Sequence, residues 1–216
     1  MTLTLTDLLV ADRPDSWREV GFAVDGDVCR VGAVRIRLVG PQHGTGIVGW
    51  ALGGVPGDTR DVDGIPTTPA PADPPAAAQA PTHPNGVTHL DHVVLLSPDL
   101  ARTGAALGAL GLDVRRERAG ALGGTPMRQL FYRLGEVILE VVGSPETAGA
   151  GPSCLWGLTH VVADIDAAAA LLGERTGPVK DAVQPGRRIT TVRGRDLGLS
   201  VRTALISPHL RRQDRQ

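Results

Sequence analysis

Two short phrases constrain this chain more than anything else in it: Leu90-Asp-His-Val-Val and Leu158-Thr-His-Val-Val. Each is an apolar strand signal followed by a helix signal and then by three strand-like runs. After the first, Ser97-Pro98-Asp99 offers an N-cap and a proline at the first helical position. Leu100, Leu107 and Leu110 then form an apolar stripe that Gly111 can stop. Strand-like runs follow at 113–118, 127–134 and 137–143, with a turn at Gly135-Glu136. After the second phrase, Asp164 caps a helix striped by Ile165, Ala169 and Leu172, and strands are expected at 179–183, 188–192 and 199–206. The order β-α-β-β-β therefore occurs twice.

The N-terminal region reads as a third, worn copy. Val31-Gly-Ala-Val-Arg-Ile-Arg-Leu-Val-Gly40 lines up with Leu134-Gly-Glu-Val-Ile-Leu-Glu-Val-Val-Gly143, and Gly49-Trp-Ala-Leu52 with Gly157-Leu-Thr-His160. Between this copy and the two clearer ones, residues 56–86 carry Pro66, Pro69, Pro71, Pro74, Pro75, Pro81 and Pro84, which predicts an extended linker with no ladder. The expected organisation is a degenerate module over 1–55, the linker 56–86, a two-module domain over 87–208 and a polar tail 209–216.

Composition narrows the function classes. The 216 residues carry 22 basic and 23 acidic side chains, too balanced to build a field for nucleic acid or a membrane surface. No apolar run approaches the roughly 18 residues of a membrane span, and no secretory signal is visible at the N-terminus. Cys29 and Cys154 lie in unrelated contexts and are expected to be small core residues in a reducing compartment, so a cytoplasmic protein is predicted.

Three residues suggest chemistry together. His92 and His160 stand at matched places in the two leading strands, which would set them across one cleft. Glu140 is the only acid in the apolar run 137–142, and a half-buried carboxylate there must be paired, protonated or metal-bound. Two histidines and a carboxylate form the facial set that leaves coordination positions open on a divalent ion. The competing reading makes each histidine a hydrogen-bonded core residue. His89 points to the other face by alternation, and His43, His83 and His209 are expected at the surface. Arg37 stands at the worn copy's equivalent of Glu140, so that copy should hold no metal. Gln129 and Tyr132 differ in parity, so at most one faces the cleft, and Gln129 is the choice. The turn 184–188 could close over the cleft and offer Arg187 to an anionic substrate, or be a plain solvated loop.

The phrases Leu90-Asp-His-Val-Val…Ser97-Pro-Asp-Leu100, Leu139-Glu-Val-Val and Gly157-Leu-Thr-His-Val-Val-Ala-Asp-Ile resemble modules of the vicinal oxygen chelate superfamily, which includes glyoxalase I, methylmalonyl-CoA epimerase, extradiol dioxygenases and bleomycin-resistance proteins. The resemblance covers about residues 87–208. It implies an α+β fold of repeated βαβββ modules forming cup-shaped mixed sheets, each module offering one metal ligand from its first strand and one from its last. Carried over, it makes His92, Glu140 and His160 ligands, with Ser200 where the family has a glutamate. A serine hydroxyl is a poor ligand, so the site has three protein ligands plus water or has lost its metal.

The resemblance implies a divalent-metal-dependent lyase or isomerase acting on a small oxygenated metabolite, with Fe, Mn, Ni, Co or Zn as cofactor and Glu140 as both ligand and catalytic base. An extradiol-type dioxygenase is a second expectation. A metal-free binding or antibiotic-sequestering protein is a third, with Tyr132 and Trp156 near the cleft, although only 3% of residues are aromatic. Gln129, Tyr132, Trp156, Arg187 and Ser200 are the candidate substrate contacts. Modules of this kind often pair between chains, so a homodimer is a candidate state, but two in one chain are enough to close a cup.

Overall fold

A computed structural model describes residues 2–71 and 81–209. Its first half comprises β1 (Thr4–Val10), α1 (Pro14–Glu19), β2 (Val28–Val31), β3 (Val34–Leu38), β4 (Ile47–Gly53), β5 (Asp61–Val62) and β6 (Ile65–Ala70). These strands form one sheet in the order β2-β3-β1-β4-β6-β5. The second half comprises β7 (Val87–Leu96), α2 (Leu100–Ala109), β8 (Arg116–Leu122), β9 (Thr125–Leu134), β10 (Val137–Gly143), β11 (Cys154–Val162), α3 (Ile165–Leu172), β12 (Lys180–Asp181), β13 (Arg188–Thr191) and β14 (Arg202–Ile206). Its eight strands run β12-β13-β14-β11-β7-β10-β9-β8.

The centres of the two sheets are wired alike. β7 lies parallel to β10 and antiparallel to β11, which lies parallel to β14. In the first half, β1 lies parallel to β3 and antiparallel to β4, which lies parallel to β6. Gly49 and Gly157 mark equivalent points. A Cβ on either would meet the neighbouring strand's carbonyl oxygen, Pro66 O or Arg202 O, at 3.0 Å. The first half is thus two worn modules rather than one. The first lacks a strand, and the second lacks its helix and a strand.

Residues expected in the linker take part in this sheet. Pro66 and Pro69 sit in β6, opposite Asp61 and Leu52. At Pro69 the missing N–H would face the side where the two-residue β5 has already ended, and at Pro66 it would face β4 one residue before the β4–β6 register begins, so neither proline costs a ladder bond. Pro74, Pro75 and residues 210–216 of the tail lie outside the described residues.

Two of the three α-helices, α2 and α3, begin on aspartates. Asp99, not Ser97, caps α2, accepting from the amides of Ala101 and Arg102, and Asp164 caps α3 in the same way. Ser97 instead accepts from Asp99 N and bonds Thr103. The two halves share one apolar core that includes Leu8, Ile36, Trp50, Leu95, Leu139 and Leu205. Cys29 belongs to it, but Cys154, at the start of β11, is exposed. Among the described residues no helix is long and apolar enough to cross a membrane.

Candidate functional site

The second sheet has one packed face and one open face. Cross-strand pairing puts Ile138, His92, Thr159 and Ala204 side by side on the open face, and Phe131, Glu140, Val94, Gly157 and Arg202 in the next row. The ladder between β7 and β11 slips three times, and two of the slips shape the open face. His160 pairs with Leu90 and Thr159 with His92, so Asp91 is an extra residue in β7. Leu155 pairs with Leu95 and Gly157 with Val94, so Trp156 is an extra residue in β11. Such bulges re-aim side chains.

The first bulge lets two adjacent residues meet. In a regular strand Asp91 and His92 would point to opposite faces. Here the Asp91 carboxylate is 2.8 Å from His92 Nδ1, and its other oxygen is 2.7 Å from Arg187 Nη1. Burial by itself would raise the Asp91 pKa, but the hydrogen bonds from His92 and Arg187 and the guanidinium charge hold it down at about 2. An anionic Asp91 can only accept, so His92 Nδ1 carries the hydrogen and Nε2 faces outward. Nε2 lies 3.6 Å from Glu140 Oε2, too long for a hydrogen bond but close enough for both groups to reach one bound atom. Gln129 Nε2 donates to the other Glu140 oxygen, and Arg118 Nε donates to Gln129 Oε1 at 2.6 Å. A chain of polar groups therefore runs Arg187–Asp91–His92, then Glu140–Gln129–Arg118.

Two recesses flank this row. One, of about 460 Å³, is lined by Arg115, Arg116, Arg118, Arg133 and Arg187 together with His209. The other, of about 560 Å³, is lined by Trp156, Thr159, Thr191, Arg193 and Arg202 among others. The second bulge leaves Trp156 44% exposed, with the Arg202 guanidinium 5.0 Å from its ring centre.

The structure brings His92, Glu140 and Gln129 together, and sends three other expected site residues elsewhere. His160 is fully buried on the opposite face, its ring 5.1 Å from Phe22 and 6.3 Å from Trp17, with neither nitrogen hydrogen-bonded. The Asp91 bulge is the cause: it breaks the symmetry that would have set His160 against His92, and Thr159 takes that place. Tyr132 packs on the back face, its hydroxyl under Gly104 of α2. Ser200 binds the first half, with its amide and hydroxyl donating to Asp12 Oδ1 at 2.8 and 2.5 Å. His83, expected at the surface, is buried, accepting from Ala23 N and bonded to Arg30 O. Arg187 is neither solvated nor free, because Asp91 and Ser207 O hold it.

The donor set does not fit a resident divalent ion. His92 and Glu140 are two ligands, and the remaining positions around them offer Thr159 and Ala204. Among the described residues no group of three or more His, Cys, Asp or Glu is spaced to hold a metal. In the first half the matching positions are an ion pair: Asp7, in the place of His92, binds Arg37 Nε at 2.8 Å and Arg35 Nη2 at 2.7 Å. Arg37 stands in the place of Glu140.

No family model matches the chain, and no curated protein matches it in sequence. Solved structures do. A mutant of 4-hydroxymandelate synthase from Streptomyces coelicolor superposes with a TM-score of 0.65 at 19% identity, covering 98% of this chain and 93% of that one. One structure thus matches both halves together. The chain has the vicinal oxygen chelate fold. A xylose isomerase-like TIM barrel/4-hydroxyphenylpyruvate dioxygenase fusion protein shares this fold at TM-score 0.65 and 14% identity, over 96% of the chain and 49% of the fusion. Methylmalonyl-CoA epimerase from Mycobacterium tuberculosis aligns over 58% of the chain and 91% of its own, at 18% identity and TM-score 0.46.

Within this vicinal oxygen chelate fold, Asp91, Thr159 and the arginines of β8 and β9 were not singled out in the sequence. An acid next to His92 in an otherwise apolar run was the available signal for Asp91. For Arg116 and Arg118 it was their shared parity, two apart in one strand.

Proposed function

We propose that the cup of the second sheet is a site of metal-independent proton transfer on a small oxygenated metabolite, an isomerase or lyase reaction in which Glu140 and His92 are the acid–base pair. The 3.6 Å separation of His92 Nε2 and Glu140 Oε2 carries this reading. Each group is held from behind, His92 by Asp91 and Glu140 by Gln129, so a bound molecule meets fixed partners. Glu140 takes a proton from the carbon beside a carbonyl. His92 enters as the imidazolium, its Nδ1–H committed to Asp91, and gives its Nε2 proton to the resulting enolate. The proton held by Glu140 then passes back to Nε2 and closes the cycle. The second reading is a binding protein of the same fold. It is favoured by Trp156, an exposed ring stacked on a guanidinium at the wall of the larger recess.

The test is proton exchange in heavy water with chelator present. A panel of 2-oxo and 3-oxo acids is followed by proton NMR with the wild type, Glu140→Gln and His92→Gln. Loss of an α-proton signal that stops in both variants is the expected result. Binding of a panel member without exchange would overturn the enzymatic reading in favour of sequestration.

A further inference from the structure

We infer that the arginine-lined recess beside the pair is an oxyanion subsite, so that the molecule taken by the cup carries a multiply charged anionic group, a phosphate or a cluster of carboxylates. The inference rests on the reading of the cup as the ligand site and adds the class of ligand. Five arginines line the recess: Arg115, Arg116, Arg118, Arg133 and Arg187. Arg187 has an acidic partner, Asp91, and Arg118 is occupied by Gln129. Among the described residues no carboxylate lies within ion-pair distance of Arg115, Arg116, Arg118 or Arg133, although the chain as a whole has as many acids as bases. Local excess of one sign in a concave site, against a neutral total, concentrates oppositely charged ligands.

The position of Arg187 is the second observation. Its side chain is 1% exposed, and its Nη2 has no hydrogen-bond partner. A buried guanidinium with an unanswered donor is costly. Arg187 lines the recess, and a turn of its side chain on binding would bring the closed-off Nη2 to an oxyanion there. Until then Arg187 Nε and Nη1 are held by Ser207 O, His209 Nε2 and Asp91, which keeps its fork beside the recess. Planar guanidinium groups take phosphate and carboxylate oxygens in pairs. No carboxylate is among the described residues that line the recess; Asp91 is neutralised by Arg187, and Glu140 is bonded by Gln129. The recess runs from Arg116 and Arg118 of β8 across Arg133 of β9 to Ile138 of β10, which pairs with His92, so an anion held by the arginines sits beside the pair in the same cup.

The experiment is calorimetric titration of the whole chain with inorganic pyrophosphate and, separately, with citrate, at low and high salt, after metal has been removed on a chelating resin. The subsite predicts saturable binding of one or both that weakens with salt. The double variant Arg116→Gln/Arg133→Gln, at two exposed positions, should lose at least tenfold in affinity. Arg193→Gln/Arg195→Gln, of equal charge change in the other recess, should not. Tighter pyrophosphate points to a phosphorylated ligand, and tighter citrate to a polycarboxylate. Absence of saturable binding, or equal loss in both double variants, overturns the inference. Glu140→Gln, which removes a carboxylate linked through Gln129 to Arg118, should bind the anions at least as tightly as the wild type. Anion binding without proton exchange therefore removes the proposed chemistry and leaves the subsite standing. Exchange without anion binding does the reverse.

Discussion

Leu52 and His160 occupy the same place in the two halves: Leu52 pairs with Leu5, His160 pairs with Leu90, and in each ladder the next pairing jumps one residue. At this position a leucine fills the first half, whereas the second half holds an imidazole with two unanswered nitrogens. Burial, and then the charges of neighbouring His83 and His92, push the His160 pKa down to about 3. The unfolded chain binds a proton near pH 6.5 that the folded chain refuses. The neutral ring is therefore fully tolerated above pH 6.5, and stability is lost as pH falls from there towards 3, by up to about 1.4 kcal/mol per pH unit. His160→Leu should flatten that acid limb and raise stability at neutral pH by about 1–2 kcal/mol, read from thermal melts across pH.

Asp91 should act in the same direction as His160, over a lower pH window. Its folded pKa of about 2 lies below the unfolded value of 3.8, so its contribution is present above 3.8 and disappears as pH falls through 2. Asp91→Asn leaves Arg187 buried without its counter-charge and should cost about 3–5 kcal/mol in urea unfolding. It should also reduce proton exchange by freeing the His92 ring. A variant as stable as the wild type would show that Arg187 finds another partner.

Much of the site was legible in the sequence because it rests on strand alternation. Glu140 and Gln129 follow from period two in β10 and β9. What hid was the register between strands. An acid at Asp91 marks the apolar run but does not say that the residue is extra, and that extra residue decides that Thr159 rather than His160 faces His92. The ladder in β6 was hidden for a related reason: prolines exclude a central strand, but Pro66 and Pro69 lie where the sheet has almost run out. The duplication signal did carry through, since Arg37 and Glu140 share a register position, as do Gly49 and Gly157.

The turn between β5 and β6 joins the halves through Asp63, whose carboxylate binds Arg102 Nε at 2.5 Å and accepts from the hydroxyls of Thr103 and Ser153. Its φ of 54° is one that Asn also adopts. Asp63→Asn therefore keeps the backbone and removes the charge, and should lower the melting temperature by roughly 5 °C. Hydrogen exchange should rise in β5 and β6 more than in β7, and an even rise would mean that the contact is not local.

Metal should make no difference to the folded protein. An ion held at a hundred times its Kd would add about 2.7 kcal/mol to stability. With Thr159 and Ala204 where further ligands would stand, addition of Zn, Mn, Fe, Co or Ni, or of chelator, should leave the melting temperature unchanged. A shift abolished by Glu140→Gln would show that the cup rearranges to complete a coordination shell.

The kink in β7 at Asp91 has a counterpart. In β1, Leu5 pairs with Leu52 and Asp7 with Ala51, so Thr6 is the extra residue, one place before the position that matches His92. A one-residue irregularity at the same pairing in both halves is inherited more simply than invented twice. The deformity is then older than either use made of it. One descendant turned it into a permanent internal handshake between Asp7 and its arginines, and the other kept two side chains aimed at open space.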